Sequence, residues 1–306
     1  IINTYCIADQ KSCSKYFEFL ELKKNDSSIG HKKAAKILGV SQGSTRWWNT
    51  IGAKKAVPLP LKAVEKLKGV GLLPFTENHK HAPIVLNILG TLFGDGGIDC
   101  RLNTVAFISS DKRDVDLWLS DLLEVFPFAV GKTQIVEGGE YGHSFNVRCY
   151  DRAVVRFFAA LGAPVGSKIV VKYSLPSYLP ELKAKILKCF LDGLFSSEIA
   201  IPRFVLTKYI TNYFKNFSLS LSKAEFLEQS HLEFMNSIKR YSKKVGLKCT
   251  PAIKKDKYSD EPRKDGHYTH GYRIFFKCNI PNVLRFHETF PLRYAQAKKE
   301  KLCKEV

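Results

Sequence analysis

Two acidic residues 103 positions apart, Asp95 and Glu198, each follow a small residue, Gly94 and Ser197, and a glycine stands four positions ahead of each small residue, Gly90 and Gly193. Four positions make about one helical turn, so both segments read as helices carrying a narrow seam of small side chains. Glycine inside a helix costs roughly 1 kcal/mol against alanine. Keeping it there implies that a second backbone comes very close. If the two seams pack on each other, ridges into grooves, the acids meet at two helix C-termini. Two carboxylates, together with the carbonyls of Gly94 and Ser197 left open at the helix ends, make a hard, negative, oxygen-rich site suited to Mg²⁺ or Mn²⁺. Such a site fits phosphodiester hydrolysis, in which two cations about 4 Å apart activate water and steady the leaving oxygen.

The elements that must position these acids are legible around them. Val85, Leu89 and Leu92 share one face of the first helix, which stops at Asp95-Gly96-Gly97. The second runs through residues 187–198. Ile88-Leu89-Gly90-Thr91-Leu92-Phe93-Gly94-Asp95-Gly96 and Leu191-Asp192-Gly193-Leu194-Phe195-Ser196-Ser197-Glu198-Ile199 resemble the signature of the LAGLIDADG homing endonucleases, the second with Glu for Asp and Ile199 in place of the usual glycine. The resemblance covers roughly residues 84–300 and the two-motif, single-chain form of the family. It implies a metal-dependent endonuclease, working as a monomer, that makes a staggered double-strand cut at a long asymmetric DNA target. It also implies basic residues near the metals, for which Lys223 and Lys112 are the candidates. Asn87 and His81 lie near the first motif and read as structural.

The fold class expected is α+β: two pseudo-symmetric αββαββα halves forming a saddle of antiparallel sheets, preceded by a small all-α domain. The boundaries are 1–80, 81–180 and 181–306. Repetition supports the two halves. Val147-Arg148-Cys149 followed by Val154-Val155-Arg156-Phe157 recurs as Phe276-Lys277-Cys278 and Val283-Leu284-Arg285-Phe286, at a constant offset of 129. The longer second half carries an insertion at 201–217 and a polar loop at 256–268, and a glycine-rich turn at 138–142 splits two strands of the first. Ser218 to Ser222 alternates strictly, as a strand with one buried face does. The same alternation turns Arg148, Lys277 and Arg273 away from Val147, Cys149, Ile274 and Phe276, giving each sheet a basic outer face able to grip phosphates and reach base edges.

The first 80 residues read differently. Ala34, Ala35, Ile37 and Leu38 form one helix face, Gly39-Val40-Ser41 a turn with Ser41 as N-cap, and a second helix runs through Trp47 and Trp48. This is helix-turn-helix spacing, with Gln42, Ser44 and Arg46 on the helix that would enter a major groove, among Lys32, Lys33, Lys36, Lys54 and Lys55.

Composition agrees. Lysine and arginine outnumber acids 48 to 29 in 306 residues, a net charge of +19, which points to a polyanionic partner and above all to nucleic acid; the resemblance makes that partner double-stranded DNA. No run of 18 apolar residues exists, so a membrane protein is not expected. Eight scattered cysteines without a C-x-x-C pair argue for free thiols in a reducing, intracellular setting, cytoplasmic, organellar or nucleoid. The chain has neither a Cys or Ser start nor a His-Asn end, against a complete self-splicing intein. No Gly-Lys-Ser/Thr follows GDGG, so it is not a phosphate cradle. Two other readings stay open: a DNA-binding regulator on the same scaffold that does not cut, and an RNA-binding maturase that helps an intron fold.

Overall fold

The computed structural model describes residues 1–50, 56–138, 143–206, 213–255, 262–263 and 265–306. Lys54, Lys55, most of the 138–142 turn and much of the 256–268 loop lie outside the described residues. The chain divides after Pro74 into two compact units, Ile1–Pro74 and Phe75–Val306. Among the described residues no helix is long and apolar enough to cross a membrane.

In the first unit the described elements are helical: α1 (Ile7–Asn25), α2 (His31–Leu38), α3 (Gln42–Trp48) and α4 (Leu59–Gly69). Helix α1 is much longer than the short piece at 15–22 that its sequence suggests, because Cys13, Tyr16 and Phe19 bury along it. They meet Leu38, Trp48 and Leu61 in one small core, with the Trp48 ring edge-on to Tyr16. Gly39 ends α2 at φ +64, the left-handed conformation glycine tolerates best. Ser41 caps α3 by accepting from the Ser44 amide, and the Thr45 hydroxyl donates to the His31 carbonyl, which ties α3 back to α2.

The second unit begins with α5 (Ala82–Phe93), β1 (Gly97–Ile98), β2 (Val105–Ser109), α6 (Lys112–Val125), β3 (Thr133–Glu137), β4 (Phe145–Cys149) and α7 (Arg152–Ala160). It continues with α8 (Ala184–Glu198), β5 (Ile199–Ala200), a hairpin of β6 (Arg203–Val205) and β7 (Tyr213–Lys215), and β8 (Ser218–Ala224). Then come α9 (Glu228–Lys244), β9 (Ile253–Lys254), β10 (Thr269–Phe275), α10 (Ile280–Thr289) and α11 (Gln296–Glu305). Two antiparallel four-stranded sheets result, β1-β2-β4-β3 and β5-β8-β10-β9, with the same order of first, second, fourth and third strand once the β6–β7 hairpin is set aside. The hairpin falls within the expected insertion at 201–217.

Helices α5 and α8 are the buried centre of this unit. A Cβ built on Gly90 would stand 2.1 Å from the Phe190 carbonyl oxygen, and one on Gly193 would stand 1.9 Å from the Asn87 oxygen. At Gly94 it would meet Ser197 Cβ at 2.3 Å. Only glycine fits at such distances. Beside this seam the Asp192 carboxylate, 2 % exposed, accepts from Asn87 Nδ2 at 2.9 Å, which confirms the structural reading of Asn87. The inner sheet faces close over the helices with Phe107, Val147 and Cys149 on one side and Leu219 and Ile274 on the other.

Gly90→Ala and Gly193→Ala should each destabilise the second unit by about 3 kcal/mol or more, since backbone rather than a flexible side chain blocks the new methyl. Gly97→Ala, with nothing within 4 Å of its Cβ position, serves as the near-neutral control in chemical denaturation.

Candidate functional site

Both acids arrive at the C-terminal end of the α5–α8 seam, but by different routes. Helix α5 stops at Phe93 with Gly94 as its cap, so Asp95 sits in the turn that follows. Helix α8 runs the equivalent of two residues further and Glu198 is its last residue. A Cβ on Gly96 would crowd the Ala106 and Thr91 carbonyl oxygens at 3.0 and 3.1 Å, so that turn requires glycine. Ile199 requires none: its backbone is extended (φ −81, ψ 136), it opens β5 against Leu219, and its side chain is buried. The departure from the nine-residue signature is therefore absorbed as a core strand residue.

The carboxylates are close enough to sense each other. Burial, and then the charge of Asp95, push the Glu198 carboxyl up to about 7. Asp95 opens onto solvent yet stands against a concave wall of protein, whose desolvation raises its pKa despite two nearby lysines. Among the described residues neither carboxylate is held in an ion pair or side-chain hydrogen bond. Ser197 Oγ, beside them, is buried and without a hydrogen-bond partner.

Two lysines that sequence reasoning missed frame the pair. Lys168 Nζ donates to the Gly96 carbonyl at 2.5 Å, and Lys298 Nζ donates to the Ser196 and Ser197 carbonyls at 2.8 and 2.5 Å. Burial lowers the pKa of both, while Asp95 and Glu198 favour their charged forms. Lys298 caps the end of α8 and Lys168 holds the turn that follows α5, and each places a cation beside the acids without closing on them. They lie 130 residues apart, one more than the 129 offset of the internal repeat, so carrying that repeat forward past 157 and 286 would have brought them within one position of each other.

The other candidates are placed as follows. Lys112 starts α6 on the surface and spends its charge on Asp116 at 2.6 Å, so it is a solvated helix pair and not part of the site. Lys223, expected beside the cations, points into the core instead: alternation along β8 puts it with Leu219 and Leu221, opposite His270, and burial alone, with no charge from Asp95 or Glu198, shifts its pKa. It is 1 % exposed, 3.3 Å from the Val171 carbonyl and 3.3 Å from the centre of the Tyr173 ring, and burial lowers its pKa to about 8. The Ser197 carbonyl, expected to stay open for a cation, already accepts from Lys298, leaving one lone pair. Gly94 keeps its place at the seam.

On the sheets, Arg148 is exposed and lines a groove of about 470 Å³ that also holds Asp95, Asp99, Thr104, Asn146 and Ser167. Its register neighbours are Ala106 and Gln134. Arg273 is half-buried and donates to Ser220 Oγ at 2.9 Å, and Lys277 is exposed just beyond the end of β10. The expected basic faces carry one arginine apiece within the strands, because Gln134, Asn146, Ser220 and Ser222, together with the exposed Ile108 and Phe275, take other outward positions. In the first unit Gln42 and Arg46 are exposed, as is Trp47, whereas the Ser44 hydroxyl lies 2.9 Å from Ser41 Oγ and belongs to the helix cap.

No family model matches the chain. Over 193 residues it is 29% identical to the tRNA-splicing ligase RtcB of Methanocaldococcus jannaschii, an alignment covering 58% of the chain and 19% of the relative. A second match, 28% over 129 residues, is to the archaeal Lon protease of Pyrococcus abyssi and covers 42% of the chain and 12% of that protein. The chain thus spans about a fifth or less of the curated relatives it matches. Among solved structures it is similar to the homing endonuclease I-DmoI in complex with DNA and Mn, at 15% identity and a TM-score of 0.42, over 69% of this chain and 97% of that one. A structure of mesophilic variants of the same endonuclease gives 13% identity and the same TM-score.

Raising the Glu198 pKa above its unfolded value means the folded state holds a proton that the unfolded state releases between about pH 4.5 and 7. Stability falls across that window as pH rises. Glu198→Gln should therefore unfold at higher temperature than the parent at pH 8, by up to about 3 kcal/mol at 1.4 kcal/mol per pH unit, and match it below pH 4. Differential scanning calorimetry at the two pH values checks this.

Proposed function

We propose that the chain is a site-specific, divalent-cation-dependent DNA endonuclease whose two halves, about 81–180 and 181–306, form a saddle over duplex DNA, with the helical unit up to about residue 80 as an added reading head. The observation that carries the reading is the meeting of Asp95 and Glu198, unneutralised by direct pairing, at the end of a backbone-to-backbone helix seam. Keeping two desolvated acids together costs stability, and a cation offsets that cost.

The residues fit Mg²⁺ or Mn²⁺. Asp95, Glu198 and the Gly94 carbonyl are hard oxygen donors, and Ser197 Oγ is a buried polar atom without a partner. Among the described residues no third carboxylate, histidine or cysteine joins them. That suits magnesium, which takes one or two carboxylates and completes its shell with water and phosphate oxygens. Such an ion, when bound, makes water a better nucleophile and steadies charge on the phosphate. The protein's own groups do the rest. Glu198 must give up its proton near pH 7 to serve as a ligand, and Lys168 and Lys298 place positive charge where the phosphate gains negative charge. Arg148, Arg273 and Lys277 neutralise backbone phosphates, while the exposed Gln134 presents an amide suited to an adenine edge in a major groove. Gln42 and Arg46 would do the same from α3.

The relatives bear on how the activity is carried. A ligase and a protease share no chemistry, yet each contains a stretch like this chain, covering a fifth and an eighth of its length. Stretches of one chain that resemble parts of two such different proteins do not follow the catalysis of either, and read as an insert that moves between host genes. DNA cutting is the activity that mobility needs, and this favours the nuclease over the regulator and the maturase. The protein is proposed to act as a monomer, since both acids come from one chain.

The test is a supercoiled plasmid bearing a tRNA-splicing ligase gene from which the matching segment has been removed. With Mg²⁺ the chain should linearise it, and with EDTA it should only bind. Asp95→Asn and Glu198→Gln should each lower double-strand cutting by at least a hundredfold and leave filter binding within a few-fold. Specific binding without cutting by the parent chain would leave the regulator as the correct reading.

A further inference from the structure

Lys298 reaches the two acids from a segment far along the chain, 292–298, and that segment is fastened at every step. The Leu292 and Arg293 amides donate to the buried Asp192 carboxylate at 2.8 and 3.1 Å. Leu292 itself sits at φ +47, a conformation a branched residue adopts only when its surroundings enforce it. Arg293 then crosses to α6 in the other half of the unit. Its Nε and Nη2 donate to the two oxygens of Asp121, both at 2.6 Å, and Tyr294 Oη donates to the same carboxylate at 2.6 Å. Asp121 is 2 % exposed, and Tyr294 is equally buried. Two turns earlier on α6, Asp114 accepts from the Gln296 amide at 2.7 Å and so caps the start of α11, in whose first turn Lys298 lies.

We infer that Asp121 is a positioning residue: by clamping Arg293 and Tyr294 it fixes the 292–298 strap so that Lys298 seats on the Ser196 and Ser197 carbonyls beside Asp95 and Glu198. The geometry shows why a carboxylate is needed. A bidentate guanidinium pair fixes direction as well as distance, and the third donor, the tyrosine hydroxyl, leaves Asp121 fully satisfied although buried. Lys298 spends two of its three N–H groups on the helix carbonyls, so its place depends on α11 starting where the strap ends. The first half of the unit thereby holds a cation of the second half's site. As an effect on cutting, the inference rests on the nuclease reading. As a statement about where Lys298 sits, it does not.

The experiment uses the full chain and two readouts. Brief acetylation with acetic anhydride, followed by peptide mass spectrometry, reports the exposure of individual lysines. In the parent chain Lys298 and Lys168 should label at least about tenfold more slowly than exposed Lys299. In Asp121→Asn, and more weakly in the milder Tyr294→Phe, Lys298 should approach the rate of Lys299 while Lys168 stays protected. Deprotection of both lysines together, or of neither, would show Asp121 to be an ordinary core group and overturn the inference. The second readout is a double-mutant cycle on plasmid cleavage. Asp121→Asn should slow single-turnover cutting about tenfold in the parent background and have no further effect in Lys298→Met. Equal slowing in both backgrounds would also overturn it. A parent chain that cuts nothing defeats the nuclease reading, and the labelling pattern then decides the placement of Lys298 by itself.

Discussion

Everything in the second unit depends on two helices touching backbone to backbone. The Gly90 and Gly193 contacts leave no room for a methyl group, and that closeness brings Gly94 against Ser197 and Asp95 toward Glu198. Wider spacing by one side-chain layer would move the acids apart by several ångströms and dissolve the site. The seam also fixes what surrounds it. Sheets can cover the helices only on their outer flanks, and polar groups that fall inside must find partners there, as Asn87 and Asp192 do.

The cost of the arrangement is electrostatic. Two acids share a poorly solvated corner, and Glu198 responds by holding its proton to about pH 7. Lys168 and Lys298 relieve part of the repulsion from a distance, because each is pinned to backbone carbonyls and not to a carboxylate. The corner is therefore near neutral in total charge but leaves its oxygens open. A direct lysine–carboxylate pair would be more comfortable and chemically dead.

The sequence made much of this legible. The small-residue seam, the two acids, the strand order and the inserted hairpin all follow from spacing and repetition, which are properties of neighbours along the chain. What it did not disclose depends on long-range packing. Lys223 was readable as a strand residue, but which side of β8 faces solvent is decided by α9 and Tyr173 beneath it. Lys112 looked like the first-half counterpart until Asp116, one turn away, claimed it. Lys168 and Lys298 stand in connecting segments with no periodic pattern of their own, and only the 129-residue offset hinted at them. Asp121 gave no signal at all: it is one acid among several on an amphipathic helix, and its partners lie more than 170 positions away.

The Asn87–Asp192 bond makes the two halves non-interchangeable. By the 103-residue correspondence of the motifs, the position matching Asn87 in α8 is Phe190, and the position matching Asp192 in α5 is Leu89. A second half meeting a copy of itself would keep the Leu292 and Arg293 amides on Asp192 but set a phenylalanine ring where the Asn87 amide stands, at a cost of about 1–3 kcal/mol. Severed from its companion, that half pairs with a copy of itself only at that penalty. The tether between them thus joins unlike partners, each committed to the other.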